Sequence, residues 1–317
     1  MRYEHTPVMI EEVIKYLNPQ PGEKIIDCTL GGGGYTWSIA DRVGEKGKVL
    51  AIDLDELAIK NAKEKIKKTK NKNIILVHAN FKDLSKIIKE NFKEDSRFDG
   101  IVFDLGLSSA QLQDRDRGFS FQLDSPIDMA FGRDDGARRR TTEYLVNHLG
   151  GKELEEILRK YGEERFAGRI ARAITEARKA GPIKTTGRLK EIIEKSVPSF
   201  YKRGKIHFAT RTFQALRIAT NDELGNLEKA LENSLENLRS GARIVVVAYH
   251  SLEDRIVKKF FKKESKNCVC PPELPVCRCG HAARLKILTP KVVIPKDSET
   301  ENNPRSRSAK LRAAEII

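Results

Sequence analysis

The stretch Ile25 to Thr36, IIDCTLGGGGYT, constrains this chain more than any other, because an apolar run that ends in Asp and enters four glycines has few ways to fold. A second apolar run, VLAIDLD, closes on Asp53 and Asp55. A buried strand, a glycine loop, a helix and a second strand ending in a carboxylate about twenty residues on make the nucleotide grip of doubly wound α/β sheets. Gly31 to Gly34 lack Cβ atoms, so the backbone can turn sharply and a ligand can approach the amides opening the next helix, expected over 35–42. Asp53 is placed to accept both ribose hydroxyls. A glycine loop alone reads equally as a tight turn; the spacing to Asp53 decides for the grip. The dinucleotide form of the motif wants Gly or Ala in its sixth place, and counting from Gly31 that place holds Thr36. A compact adenosyl ligand is therefore favoured over NAD.

With 317 residues and 39% hydrophobic content, the chain can bury one large core and a smaller one, and it lacks the composition of a disordered protein. No apolar run approaches the ~18 residues that span a bilayer. The opening MRYEHTPVMIEEV has neither the basic start nor the apolar centre of a signal peptide. A cytoplasmic protein with no membrane attachment is expected.

Net charge is +14, unevenly spread. Residues 113–212 carry 22 Lys and Arg against 15 Asp and Glu, and residues 255–317 carry 15 against 6, whereas the remainder carries 22 against 24. The nucleotide-grip portion is thus near neutral and the excess lies elsewhere, a distribution that suits contact with a polyanion. A solvated Lys/Glu surface is the alternative, and KNAKEKIKKTKNK at 60–72 fits it.

Continuous apolar runs recur at 73–81, 98–106 and 241–250, as expected of strands covered on both faces of a parallel sheet. Helical patterns fill the gaps at 57–68, 81–92 and 222–238, and the late segments 285–290 and 310–317 are expected as edge strands, the last antiparallel. The fold class is α/β, a Rossmann-like sheet. About a hundred residues separate the fourth strand from Thr210, far more than one crossover needs. Segments 154–180 and 185–197 show helical spacing with Arg and Lys between apolar residues, so an inserted helical domain is expected over 113–206, between sheet-domain segments 1–112 and 207–317. Arg169, Arg172 and Arg178 suit phosphate contact or simple exposure on a helix; Arg305 and Arg307 are equally ambiguous.

Chemistry in such sheets sits at the carboxyl ends of the strands. There the chain places Asp27, Asp53, Phe81, Asp104 and the run YHSLEDR at 249–255. Phe81 suits an adenine platform or plain core. Asp104 opens DLGLSSAQL, where its carboxylate can meet an amine or cap the loop. His250, Ser251 and Glu253 do not make a hydrolase triad, because no GxSxG elbow accompanies them.

Longer motifs carry a resemblance. HTPVM (5–9), DCTLGGGG (27–34), AIDLD (51–55), DLGLSSAQL (104–112), RGFSF (117–121), PIDM (126–129), YGEERFAGRIARAI (161–174), HFATRTFQALRI (207–218), HSLEDRIVK (250–258) and NPRSRSAKLRAAE (303–315) resemble the bacterial ribosomal RNA small subunit methyltransferase H family, the MraW family. The match runs in order through nearly the whole chain. It implies a class I methyltransferase sheet and an S-adenosylmethionine-dependent enzyme that methylates the exocyclic N(4) amine of a cytidine in the decoding region of 16S rRNA, within the small ribosomal subunit. By the same resemblance the cofactor contacts fall on Gly33, Gly34, Tyr35, Asp53, Phe81, Asp104 and Gln111. Tyr35 departs from the family's usual His, a change that a backbone contact survives and a required imidazole does not. The inserted domain becomes the expected substrate-recognition domain. Oligomeric state is not set by the sequence.

Cytosine's amine is a weak nucleophile because its lone pair is delocalised into the ring. An enzyme must accept its hydrogens, localise the pair and align it with the methyl donor. Asp104, Ser108 and Ser109 are the first candidates, with His250 and Ser251 expected opposite them. The proline-proline-aromatic run of DNA amino methyltransferases is missing from DLGLSS, and a stacked cytidine must be turned out into the pocket. Two other functions stay in view: a ribosome assembly factor that binds the subunit without catalysis, and a methyltransferase acting on DNA.

Four of the five cysteines crowd into CVCPPELPVCRCGH, a spread that suits metal or redox chemistry rather than a secreted disulfide framework. Cys268, Cys270, Cys277 and Cys279 are enough for a closed zinc site, yet the spacing is CxC twice instead of the CxxC of zinc ribbons. Structural zinc and free thiols on a mobile loop stand as equal readings. Zinc would not be catalytic, since methyl transfer from a sulfonium needs no Lewis acid.

Overall fold

The computed structural model of the protein describes residues 7–69, 71–92, 96–132, 141–271, 273–274 and 276–317, with Ser109 and Gln113 described by backbone alone. His5 and Thr6 of the first motif lie outside the described residues. The chain divides into two units, one of residues 1–106 with 224–317 and one of residues 107–223.

The first unit is built on a sheet whose strands, among the described residues, are β1 (Lys24–Asp27), β2 (Lys48–Asp53), β3 (Ile74–His78), β4 (Phe98–Asp104), β5 (Leu238–Ala248), β6 (Leu285–Ile287) and β7 (Lys310–Ile316), in the spatial order β3-β2-β1-β4-β5-β7-β6. β1 to β5 run parallel, and Ile25 of β1 sits beside both Val49 and Gly100. The order reverses between β1 and β4, the point at which open α/β sheets bind ligands beyond the strand ends.

Alternate residues of these strands feed two separate apolar layers. Ile26, Leu50, Ile101, Phe103 and Ile244 face helices Leu84–Asn91, Glu223–Asn237 and Ser251–Glu264. Ile25, Val49, Val102 and Val245 face helices Ile10–Leu17, Gly34–Val43 and Glu56–Thr69. Coverage on both faces explains why these strands read as unbroken apolar runs.

Two expectations shift. The segment expected as a helix over 81–92 opens with a tight turn, Phe81–Asp83, capped by the Asn80 side chain, before the α-helix begins at Leu84. The carboxyl-terminal strand β7 is antiparallel as expected but lies inside the sheet, between β5 and β6, so of the two late segments β6 alone is an edge. Its sequence suits an interior position, because Leu311 and Ala313 face one layer while Ala314 and Ile316 face the other.

The second unit is helical. Helices Thr142–His148, Gly151–Gly162, Ala167–Ala177, Thr186–Ser196 and Thr210–Asn221 pack on a core of Phe119, Leu154, Leu158, Ile170, Leu189, Phe213 and Leu216. Threonines start two of them: Thr141 accepts from the Tyr144 amide at 3.1 Å and Thr185 from the Arg188 amide at 3.2 Å. The unit is wider than the 113–206 read from the sequence. The HFATRTFQ segment adds to it because Phe208, Phe213 and Leu216 bury against Leu154 and Leu158, and the short helix Ser109–Gln113 adds Leu112. Among the described residues no helix is long and apolar enough to cross a membrane.

Candidate active site

The glycine loop follows β1 and is held from both sides by carboxylates. Asp27 is fully buried, and its oxygens accept from the Thr29 amide at 3.0 Å and the Thr36 hydroxyl at 2.6 Å. It therefore ties the loop to the first turn of helix Gly34–Val43, and burial raises its pKa above the ordinary value. Gly31 and Gly33 both have positive φ, 46° and 79°, the region where glycine is the default residue. A Cβ on Gly33 would lie 2.5 Å from the Trp37 Nε1, so this turn is closed to any larger residue. The Gly33 amide is spent on the Leu30 carbonyl at 2.6 Å. The amides opening the following helix have, by helix geometry, no partner within it, and this makes them a site for electronegative groups.

Asp53 ends β2 beside this loop. Its Oδ2 accepts from the Gly31 amide and its Oδ1 from the Asp55 amide, each at 2.7 Å. Each oxygen keeps a further lone pair. Burial pushes this carboxyl up to about 6, against the lowering effect of those two amides. Asp55 serves a different end, accepting from the Leu57 amide at 3.0 Å at the start of helix Glu56–Thr69.

Asp104 ends β4, across the switch point. Its amide donates to the Thr29 hydroxyl at 2.7 Å, joining the ends of β1 and β4. Its Oδ1 accepts from the Tyr249 hydroxyl at 2.8 Å, and Oδ2 takes no hydrogen bond among the described residues. Burial again dominates, pushing the carboxyl up to about 7, with Asp27 and Glu253 adding repulsion. Gly106, at φ 112°, lets the chain pass the Tyr249 ring, where a Cβ would stand 3.1 Å from Cδ2. Three carboxylates thus crowd the ends of adjacent strands, one satisfied internally and two with acceptor capacity left over.

The model of the MraW methylase family matches residues 2–317 of this chain. Proteins named ribosomal RNA small subunit methyltransferase H are 45% identical in Halothermothrix orenii, covering 99% of each chain, and 45% identical in Clostridium botulinum strain Kyoto, covering both chains fully. One from Dehalococcoides mccartyi strain BAV1 is 46% identical over all of this chain and 88% of its own. The chain belongs to the MraW methylase family. Among solved structures, a putative rRNA methylase from Clostridium thermocellum aligns over 99% of this chain and all of its own, with TM-score 0.47 and 13% identity.

The residues of this MraW methylase fit the cofactor that the resemblance implies, S-adenosylmethionine. Asp53 offers two acceptor oxygens to a pair of hydroxyls. The two raised carboxyls mark a place where negative charge lacks a counterion, which suits a ligand carrying positive charge. Phe81, half-buried just beyond β3, meets Phe103 edge-on at 5.9 Å, so its ring is held by the sheet. Tyr35 is otherwise engaged. Its side chain is buried, and its hydroxyl donates to the Val8 carbonyl, leaving only its backbone at the loop.

The remaining expected residues of this MraW methylase fall into caps. His250 precedes helix Ser251–Glu264, with Nδ1 accepting from the Glu253 amide at 3.4 Å and Nε2 lying 3.1 Å from a Glu253 oxygen. Glu253 in turn accepts from the Tyr249 amide at 2.9 Å and the His250 amide at 3.2 Å. Ser251 is exposed at the helix start. In the second unit Ser108 and Gln111 form a capping box: the Ser108 hydroxyl accepts from the Gln111 amide at 3.2 Å, and the Gln111 Oε1 accepts from the Ser108 amide at 3.0 Å. The side chain of Ser109 lies outside the described residues. The S-x-x-Q spacing of SSAQ was the available sign of this box. Thr29 and Tyr249 were missed as site residues, although Tyr249 stands in the run YHSLEDR at the end of β5. Arg178 does not point at a ligand; it donates to the Val146 and Leu149 carbonyls at 2.9 and 2.8 Å, closing helix Thr142–His148.

Proposed function

We propose that this chain transfers a methyl group from S-adenosylmethionine to the exocyclic N(4) amine of a cytidine in the decoding region of 16S rRNA, with the small ribosomal subunit as its partner and the cytoplasm as its place of action. The observation that carries this reading is the family match along the full chain, to relatives named for methylation of small-subunit rRNA. Those names favour neither an assembly factor without catalysis nor a methyltransferase acting on DNA.

In this reading Asp53 holds the ribose hydroxyls, the backbone of Gly33, Gly34 and Tyr35 shapes the turn against the methionine end, and Phe81 lies along the adenine. Bound there, the cofactor supplies a methyl group made electrophilic by its sulfonium. Asp104 has the reactive acceptor: its Oδ2 is open, while Tyr249 fixes the other oxygen and so the plane of the carboxylate. An oriented acceptor of this kind can take a hydrogen of the cytosine amine, returning the lone pair to nitrogen. We assign Ser108 and His250 positioning roles, because each side chain holds the start of a helix at the edge of a strand-end loop. Ser109, Ser251 and Gln111 complete the assigned set, with Gln111 braced by its capping box. The second unit is assigned to the RNA. Its segment 200–207, FYKRGKIH, exposes Phe200 (64%) and Ile206 (54%) among Arg203, Lys205 and His207, a mixture of stacking surface and cations that suits unpaired nucleotides.

The test is transfer of a labelled methyl group to purified small subunits, with nucleoside analysis of the recovered rRNA, for wild type and Asp104→Ala. Label in N(4)-methylcytidine that is lost in the variant is expected. Label in another nucleoside would overturn the substrate, and cofactor binding without any transfer would overturn the enzyme reading.

A further inference from the structure

Between helix Ser251–Glu264 and β6 runs a segment of about twenty residues whose described residues form neither helix nor strand, a length that compact domains seldom leave unsupported. Among its described residues Val269, Leu274 and Val276 are exposed. Its neck is closed by polar contacts. Arg284 donates through Nε and Nη2 to the buried Glu264 Oε2 at 2.8 and 2.6 Å, its amide donates to the Glu264 carbonyl at 2.7 Å, and the His281 Nε2 lies 3.1 Å from the Lys263 carbonyl. Beyond the neck, four thiols meet.

The sulfurs of Cys268, Cys270, Cys277 and Cys279 all lie within 4.8 Å of one another. Two of the separations are 3.6 Å (Cys277 to Cys279) and 3.8 Å (Cys279 to Cys268). A tetrahedron with Zn–S bonds of ~2.3 Å has edges of about 3.8 Å, so the four sulfurs already stand close to the corners a single ion requires. They are too far apart for covalent S–S bonds of ~2.05 Å. Backbone amides aim at three of them: Cys270 N–H at Cys268 (3.4 Å), Arg278 N–H at Cys270 (3.4 Å) and Val269 N–H at Cys279 (3.5 Å).

We propose that Cys268, Cys270, Cys277 and Cys279 form a closed, four-thiolate site for one Zn²⁺ that staples the segment between helix Ser251–Glu264 and β6. Binding converts four thiols and one Zn²⁺ into a tetrathiolate complex of charge −2 with release of four protons. Lys266 and Arg278 in the same segment carry charge of the opposite sign. An all-sulfur tetrahedral set selects zinc over harder divalent ions. With every position filled by protein, the ion has no place for substrate and acts structurally. His281 is excluded as a ligand by its place at the neck. The CxC spacing is accommodated because the two pairs approach from opposite arms of the loop, each contributing one edge of the tetrahedron.

The test uses the full-length wild-type protein, purified without an affinity tag and without added metal under reducing conditions. Elemental analysis is expected to give one zinc per chain. Mercurial titration should release it as four thiols react, leaving Cys28, buried in the sheet, as the slow fifth. After exchange, Co²⁺ should show the thiolate charge-transfer and visible ligand-field bands of a tetrahedral site, and chelation should speed tryptic cleavage at Arg278 at least tenfold. Cys28→Ser should keep the metal and Cys277→Ser/Cys279→Ser lose it. Because the metal is read on the wild type, a poorly folding variant does not obscure the answer. Protein that carries no zinc and takes up no Co²⁺, stoichiometric iron instead of zinc, or disulfides in the intact mass under the same conditions would each overturn the proposal.

Discussion

The strand ends of the sheet unit and the helix starts of the second unit are both rich in polar motif residues, but they use them differently. At the ends of β2 and β4 the sheet already satisfies the backbone, so Asp53 and Asp104 keep acceptor capacity for something outside the protein. In the helical unit the polar residues are consumed internally. Ser108 and Gln111 cap one another, Glu164 accepts from the Tyr201 hydroxyl and the Phe166 amide at 2.8 and 2.9 Å, and Arg217 pairs with Glu223 at 2.8 Å. The physical difference is the helix terminus, which leaves donors and acceptors for nearby side chains to meet. A motif residue near a helix end is therefore weaker evidence of a ligand than one ending a parallel strand.

The contrast breaks most visibly at Asp104. Replacing it with Ala should lower kcat for methyl transfer on the order of 10²–10³-fold, the usual effect of losing an oriented polar group, with circular dichroism unchanged. Asp53→Ala should weaken cofactor binding roughly 30-fold or more, through two lost charge-assisted hydrogen bonds, as read by calorimetry. Glu164→Ala should do the opposite: cost about 1–3 kcal/mol of stability in a denaturant melt while leaving cofactor affinity alone, because Glu164 is buried and its loss leaves the half-buried Tyr201 hydroxyl and Phe166 amide without their acceptor. If Glu164→Ala instead abolished binding with stability unchanged, the division between the two regions would collapse.

A smaller effect follows from pH. Asp53 and Asp104 are raised by burial to about 6 and about 7. Each thus stabilises the ligand-free fold fully below the ordinary carboxylate range, and that contribution is lost as pH rises through those values. The ligand-free protein should therefore lose stability from about pH 4 to about pH 7 from these two groups. Affinity for the cationic cofactor should move the other way, gaining up to about tenfold per pH unit for each carboxyl that must ionise. Asp104→Asn should remove the upper part of both trends. Tyr249→Phe gives the finest test: losing one hydrogen bond to Asp104 should lower kcat about fivefold, roughly 1 kcal/mol, with KM for cofactor little changed.

Much of the fold was legible because its signals are local. Unbroken apolar runs marked β1 to β5, and the glycine loop with Asp53 marked the nucleotide end of the sheet. Where the reading slipped, the deciding contact was distant in sequence. β7 looked like an edge because its own pattern cannot show that β6, over twenty residues earlier, pairs outside it. The helix Thr210–Asn221 followed the insertion in sequence and so read as sheet domain, but its apolar face belongs to helix Gly151–Gly162, where a Cβ on Gly162 would stand 2.6 Å from the Arg211 carbonyl.

By itself the sequence determined the class of sheet and the family, since each rests on residue types at fixed spacing along the chain. Only the tertiary structure decided which polar residues are free to act. Asp27 and Asp104 both end strands in the sequence, but Asp27 is closed off by Thr29 and Thr36 while Asp104 keeps an oxygen open. Thr29 and Tyr249 are brought to Asp104, and the Tyr35 side chain is turned to Val8, through hydrogen bonds that join segments up to 145 residues apart. A side chain's chemistry is written in its identity, whereas its availability depends on which partners the fold brings within about 3 Å.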